Sequence, residues 1–194
     1  GAGGFWDAIA AMGGPRRTPR ESLAALREGI AVVRALWSDQ RGLRVGGEHY
    51  ALTGVHGGPP PAHDVGIWIG GYGPRMMRLI GELADGWIPS MAYLPPATLL
   101  ERTALLEDAA VSAGRDPAAI RRIYNISGAL QDRVEPDPKA IRGPLEYWVE
   151  QLSTLATEHR MDSFVLWPSA ESEDAQLERF TLEVAPAVRA AVEG

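Results

Sequence analysis

Asp64 to Ser90 reads DVGIWIGGYGPRMMRLIGELADGWIPS, and the order of residue types in it decides the class of fold. The run Val65 to Ile69 is β-branched and aromatic, which predicts a buried strand. Gly70-Gly71-Tyr72-Gly73 follows, where three missing Cβ atoms let the backbone turn sharply and approach a ligand. Pro74 suits the first position of a helix, and Arg75 stands beside it. The spacing then puts Met76, Ile80 and Leu83 on one helical face and leaves Arg75, Arg78 and Glu82 to water. Strand, glycine turn and helix start together make an anion cradle, because free N–H groups and the helix dipole converge on one spot. Arg75 adds a forked positive charge to it, and a phosphate group is the guest that suits it. Glycine turns between strands and helices also occur where nothing binds, so the motif by itself leaves both readings open.

Composition narrows the partners. With 194 residues, 45% hydrophobic and 23% charged, the chain can bury one good core. A net charge of -6 argues against nucleic acid or an acidic membrane as partner, since either would want a basic face. No apolar run is long enough for a bilayer, and the start has no signal-peptide pattern. The absence of cysteine excludes disulfides and thiolate chemistry and fits a cytoplasmic protein.

Outward from the central stretch, Thr18 and Glu21 predict a capping box with Pro19 at the first helical position. Leu23, Leu26, Ile30, Val33 and Trp37 continue that helix as one apolar stripe. Residues 42–58 predict a hairpin of Leu43-Arg44-Val45 and His49-Tyr50-Ala51-Leu52 turning at Gly46-Gly47. His49, His56 and His63 fall there without metal-ligand spacing. On the other side, Gly86 to Ser90 predicts a second strand, and Pro95-Pro96 opens a helix with Leu99, Leu105, Leu106 and Ala109 that ends at Gly114. Asp116 caps a single turn, and Arg122 to Ser127 reads as a third strand. Asn125 there is either a ligand contact or satisfied within the strand end. After a polar loop at Arg133 to Pro138, a helix carries Leu145, Trp148, Leu152 and Leu155, and Ser163 to Trp167 forms a fourth strand. A last helix carries Leu177, Phe180, Val184 and Val188, with Pro186 kinking or restarting it.

Three further segments bear on the family. Gly70 to Arg75 and Ala84-Asp85-Gly86-Trp87-Ile88-Pro89-Ser90, together with Gly1-Ala2-Gly3-Gly4-Phe5-Trp6-Asp7, Gly47-Glu48-His49-Tyr50 and Glu183-Val184-Ala185-Pro186, carry a pattern over nearly the whole chain. This pattern resembles the bacterial luciferase-like monooxygenase superfamily, especially its F420- or flavin-dependent oxidoreductases. The resemblance implies an α/β fold, the C-terminal part of a (β/α)8 TIM barrel with parallel strands and helical crossovers, as one partial domain over residues 1–194. Ligands would sit at the C-terminal strand ends. The phosphate of F420 or FMN would rest on Gly70, Gly71, Tyr72, Gly73 and Arg75, with Ser90 on the same rim, and Ser127 and Trp167 near the later strand ends. Trp6 or Trp167 would border the ring or serve the core.

The implied activity is transfer of a hydride or oxygen to an unidentified small organic substrate. In the family the opening motif follows the fourth strand, so roughly the first third of a barrel of about 250 residues is expected to be missing. Gly4 stands where some F420-dependent relatives carry an acidic residue, and no catalytic residue is identified. The open edges of a half barrel imply a homo-oligomer or association with the missing N-terminal segment. The alternatives are a catalytically silent fragment that only packs and self-associates, and an open sheet with helices on both faces.

Overall fold

The computed structural model describes residues 5–169 and 172–194. Gly1 to Gly4, expected to end a strand, lie outside the described residues. The chain divides into two compact units, Gly1–Ile67 and Trp68–Gly194.

The first unit contains α1 (Trp6–Ala11) and α2 (Pro19–Trp37), then β1 (Leu43–Val45) and β2 (Leu52–Val55). The short α1 was not signalled by its sequence, and it buries no residue. In α2 the capping box is complete: the Thr18 N–H donates to Glu21 at 2.7 Å and the Glu21 N–H to Thr18 Oγ1 at 3.3 Å. Of the expected stripe only Ile30 is buried, joined by Ser22 and Ala25; Leu23, Leu26, Val33 and Trp37 are half-buried.

The expected hairpin exists with different bounds. β1 and β2 are antiparallel, but β2 begins at Leu52 and the connection runs over residues 46–51, so Gly46-Gly47 is not a two-residue turn. The cause lies in α2. The Glu28 carboxylate accepts hydrogen bonds from the backbone N–H groups of Glu48, His49 and Tyr50 at 3.0, 2.7 and 2.9 Å, which holds that connection out of the ladder. These donors, that of Tyr50 first, hold the Glu28 carboxyl below its ordinary range.

The second unit is a parallel sheet with helical crossovers: β3 (Trp68–Ile69), α3 (Pro74–Leu83), β4 (Gly86–Trp87), α4 (Leu99–Ser112), β5 (Arg121–Leu130), β6 (Ile141–Gly143), α5 (Leu145–Thr157) and β7 (Ser163–Pro168). α6 (Glu173–Arg179), a π-helical turn at Phe180–Val184 and α7 (Ala185–Glu193) complete it. β3 pairs with β4, β4 with β5, and β5 with β7, all in parallel. Gly128 of β5 pairs with both Ile141 and Pro168, so β6 lies on the β5 edge opposite β7, the edge that β4 occupies lower down. β5 is thus the long central strand, exceeding the expected Arg122 to Ser127 at both ends, and β6 was not expected at all.

Two other expectations are corrected. Only Trp68 and Ile69 of the run from Val65 form strand, and Val65 and Trp68 are exposed. β3 has a single partner strand among the described residues, and of its two residues Ile69 is buried. In α3 the buried residues are Met77, Leu79, Ile80 and Gly81 rather than the row Met76, Ile80 and Leu83. The helix is turned so that Gly81 meets α4, and Met76 lies over the glycine turn instead.

The sheet has two unlike faces. Alternation and register put Ser90, Asn125, Ser127, Val165 and Trp167 on one face, and Tyr124, Ile126, Phe164 and Leu166 on the other. Tyr124 and Ile126 are fully buried, whereas Val165 is 39% and Trp167 61% exposed. Helix α5 stands against β5 through Trp148, whose Nε1 donates to the Ala129 carbonyl at 3.3 Å and whose ring meets Phe180 edge-on. At the start of β5, buried Arg122 pairs with Glu107 at 2.7 Å, and Arg160 shares that carboxylate at 2.8 Å. The last helix behaves as its Pro186 predicts: a π turn absorbs the ring before α7 proceeds.

Candidate functional site

The glycine turn expected to cradle an anion lies at the C-terminal end of β3, ahead of α3. At Gly71 the chain passes close to α3, since a Cβ there would collide with the Met76 side chain. Buried Trp87 of β4 donates from Nε1 to the Gly71 carbonyl at 3.0 Å. In a trans peptide the C=O and the following N–H point in opposite directions, so this bond aims the Tyr72 N–H away from Trp87. Gly73 caps α3, and nothing lies within 4 Å of where its Cβ would be. The first-turn N–H groups of Arg75 and Met76 have no intrahelical acceptor, and Arg75 is exposed beside them. Gly70, Gly71, Tyr72, Gly73 and Arg75 thus follow one another from the end of β3 into the first turn of α3, crowded at Gly70 and Gly71 and open at Gly73.

Ser90 joins this group through Tyr72. Burial raises the Tyr72 phenol pKa, the neighbouring Tyr93 adds to the effect, and the Ser90 side chain, within bonding reach, opposes it. Tyr72 and Tyr93 face each other with ring centroids 6.0 Å apart. Tyr93 is 71% exposed, held by a turn in which the N–H groups of Tyr93 and Leu94 donate to the Ser90 carbonyl at 3.0 and 2.9 Å. From the covered face, the Tyr124 hydroxyl donates to the Leu94 carbonyl at 2.5 Å and fixes the same turn.

Beyond Ser90 the rim continues across the sheet. Ser90 and Asn125 are parallel bridge partners, with the Asn125 N–H on the Pro89 carbonyl and the Met91 N–H on the Asn125 carbonyl, both at 2.9 Å. Asn125 Nδ2 donates to Ser90 Oγ at 3.1 Å, and Trp167 Nε1 donates to Asn125 Oδ1 at 3.4 Å. Ser127 is the register partner of Trp167. Tyr72 and Ser90 thus lie just beyond β3 and β4, Asn125 lies midway along β5 and Trp167 lies near the end of β7, on four adjacent parallel strands. Tyr93 and the Trp87 pin were not among the expected residues. Trp6 lies in α1 of the first unit. His56 has a local role, its Nδ1 accepting from the Gly42 N–H at 3.0 Å, and no group of potential metal ligands occurs among the described residues.

A parallel α/β sheet with its donors gathered at the C-terminal strand ends is the layout of a barrel-type ligand-binding protein. The chain belongs to the luciferase-like monooxygenase family, whose pattern it matches over residues 1–176. It is 34% identical over 120 residues to the phthiodiolone/phenolphthiodiolone dimycocerosates ketoreductase of Mycobacterium sp. (strain JLS), an alignment covering 58% of this chain and 31% of that protein. The chain superposes on an F420-dependent secondary alcohol dehydrogenase in complex with an F420-acetone adduct with a TM-score of 0.82 and 19% identity, covering 97% of this chain and 68% of the other. With the riboflavin lyase RcaE, holding modified FMN and riboflavin, the TM-score is 0.79 at 14% identity, covering 95% and 61%. The chain spans about a third of the curated relative, and its fold is part of a luciferase-like barrel. No helix among the described residues is long and apolar enough to cross a membrane.

Proposed function

We propose that this chain supplies the cofactor-phosphate side of an oxidoreductase that uses F420 or FMN to transfer a hydride or oxygen to a small organic substrate. The observation that supports the reading is the turn after β3, where Trp87 Nε1 holds the Gly71 carbonyl, Arg75 is exposed and nothing lies within 4 Å of a Cβ placed at Gly73. That donor set fits a phosphate group, because helix-start N–H groups and a guanidinium complement a dianion. Gly73 leaves room for the oxygens to approach the backbone. The bound cofactor would contribute a ring that exchanges a hydride. The chain's own residues would hold its tail, with Ser90 and Tyr72 as hydroxyl donors beside Arg75. Exposed Trp167 offers an apolar edge further along the rim.

Cofactor titration tests this. Arg75→Ala is expected to lose about 1.5 to 3 kcal/mol of FMN or F420 affinity as a charged hydrogen bond disappears. Unchanged affinity would sink the assignment. A second reading, a catalytically silent element that packs and self-associates, is favoured by the rim itself: Tyr72, Ser90, Asn125, Ser127 and Trp167 include no carboxylate, histidine or lysine for proton transfer. Cofactor binding without turnover on any alcohol, ketone or alkane substrate would favour it.

A further inference from the structure

Trp167 settles which way the Asn125 amide points. An indole N–H can only donate, so the atom facing it is the amide oxygen and the other atom is the NH2 group. That NH2 then donates to Ser90 Oγ at 3.1 Å. The Ser90 hydroxyl has one proton and accepts on the Asn125 side, so that proton is left for a partner other than Asn125. The polarity runs one way across three strands, from β7 through β5 to the end of β4.

We infer that Asn125 is a positioning residue that fixes Ser90 as a hydrogen-bond donor to the phosphate held in the cradle. This rests on the proposed cofactor-phosphate reading and adds to it a residue on a different strand, with no charge of its own. Asn125 is suited to the task because three separate bonds hold it: its backbone N–H on Pro89, its carbonyl under the Met91 N–H and its side-chain oxygen under Trp167. The backbone bonds fix the residue, and the Trp167 bond sets which way its amide faces Ser90.

The test compares ligands with and without the phosphate. FMN and riboflavin, and F420 and its phosphate-free deazaflavin-ribitol core, are titrated into the native chain, Arg75→Ala, Ser90→Ala, Asn125→Leu and the double variant Ser90→Ala/Asn125→Leu. Asn125→Leu and Ser90→Ala are each expected to lower the preference for the phosphorylated ligand about tenfold. The phosphate-free ligand should bind as before, and the double variant should lose no more than Ser90→Ala. Trp167→Phe, at an exposed side chain, should shift the preference in the same direction and replaces Asn125→Leu if that variant does not fold. Preference retained in Asn125→Leu while Arg75→Ala loses it overturns the inference and leaves the cradle standing. Additive losses in the double variant, or equal losses for both ligands, also overturn it. A native chain with no preference for phosphorylated ligands overturns the cradle and the inference together.

Discussion

A methyl group added at Gly73 would enter open space, at φ -72° and ψ 149°, a backbone conformation any residue adopts. Gly73→Ala should therefore fold as stably as the native chain, or up to about 1 kcal/mol better through a less flexible unfolded state. FMN affinity should nevertheless fall, on the order of tenfold for each 1.4 kcal/mol of lost approach. Chemical denaturation and titration on one sample separate the two effects, and parallel losses in both would show that the glycine serves the fold. Glu28 invites a pH experiment. Its pKa is lowered by the backbone donors, so its contribution is complete above the ordinary value of 4.5 and is lost as pH falls through the lower, folded value. The amides of Glu48, His49 and Tyr50 should lose protection on acidification, and Glu28→Gln should lack that transition. At this scale the sequence was legible where a rule is local, as at Thr18 and Asp116, whose caps are present. It was silent about Glu28, because nothing in the spacing of a helical glutamate announces three backbone donors some twenty residues on.

Elements were readable in kind and less so in extent. The order of strand, glycine turn and helix from Val65 to Leu83 is present, yet β3 shrank to two residues and α3 buries a different row. Periodicity identifies an amphipathic helix but not its rotation when apolar residues crowd several faces, and Met76 and Met77 are adjacent. β6 escaped because a three-residue strand has too little pattern to detect. What anchors α3 at its far end was equally hidden. Arg115, beyond the end of α4, donates to the Gly81 and Ala84 carbonyls at 2.6 and 2.7 Å, bonding carbonyls that a helix end leaves without partners. Arg115→Ala should cost about 1.5 to 3 kcal/mol in urea unfolding, with the loss felt at the cradle through a looser α3. A change below about 0.5 kcal/mol would mean that water replaces the guanidinium without cost.

For the molecule as a whole, parallel order and helical crossovers were legible from four strand-helix alternations, and the family match and fold neighbours agree with them. The site was legible only in part: Tyr72 and Ser90 do come together, while Tyr93 and the Asn125 link depend on register between strands far apart in sequence. The sheet also sets an expectation for solution behaviour. Among the described residues β3 pairs only with β4 and β7 only with β5, and Trp68, Val165 and Trp167 are all exposed. Exposed edges and aromatic surface favour association, so light scattering should report a dimer or larger assembly of 20.9 kDa chains. Val165→Lys should weaken that assembly. A native chain that stays monomeric at high concentration would show that these surfaces are tolerated in water.

β5 alternates two duties within two residues. Tyr124 holds the turn at Leu94 from beneath, and Asn125 holds Ser90 from above. An engineer wishing to graft this rim onto another barrel could not copy its side chains singly. The transplant would have to carry the strand, its register and the 90–94 turn as one cassette, because a slip of one residue would exchange the two duties and lose both.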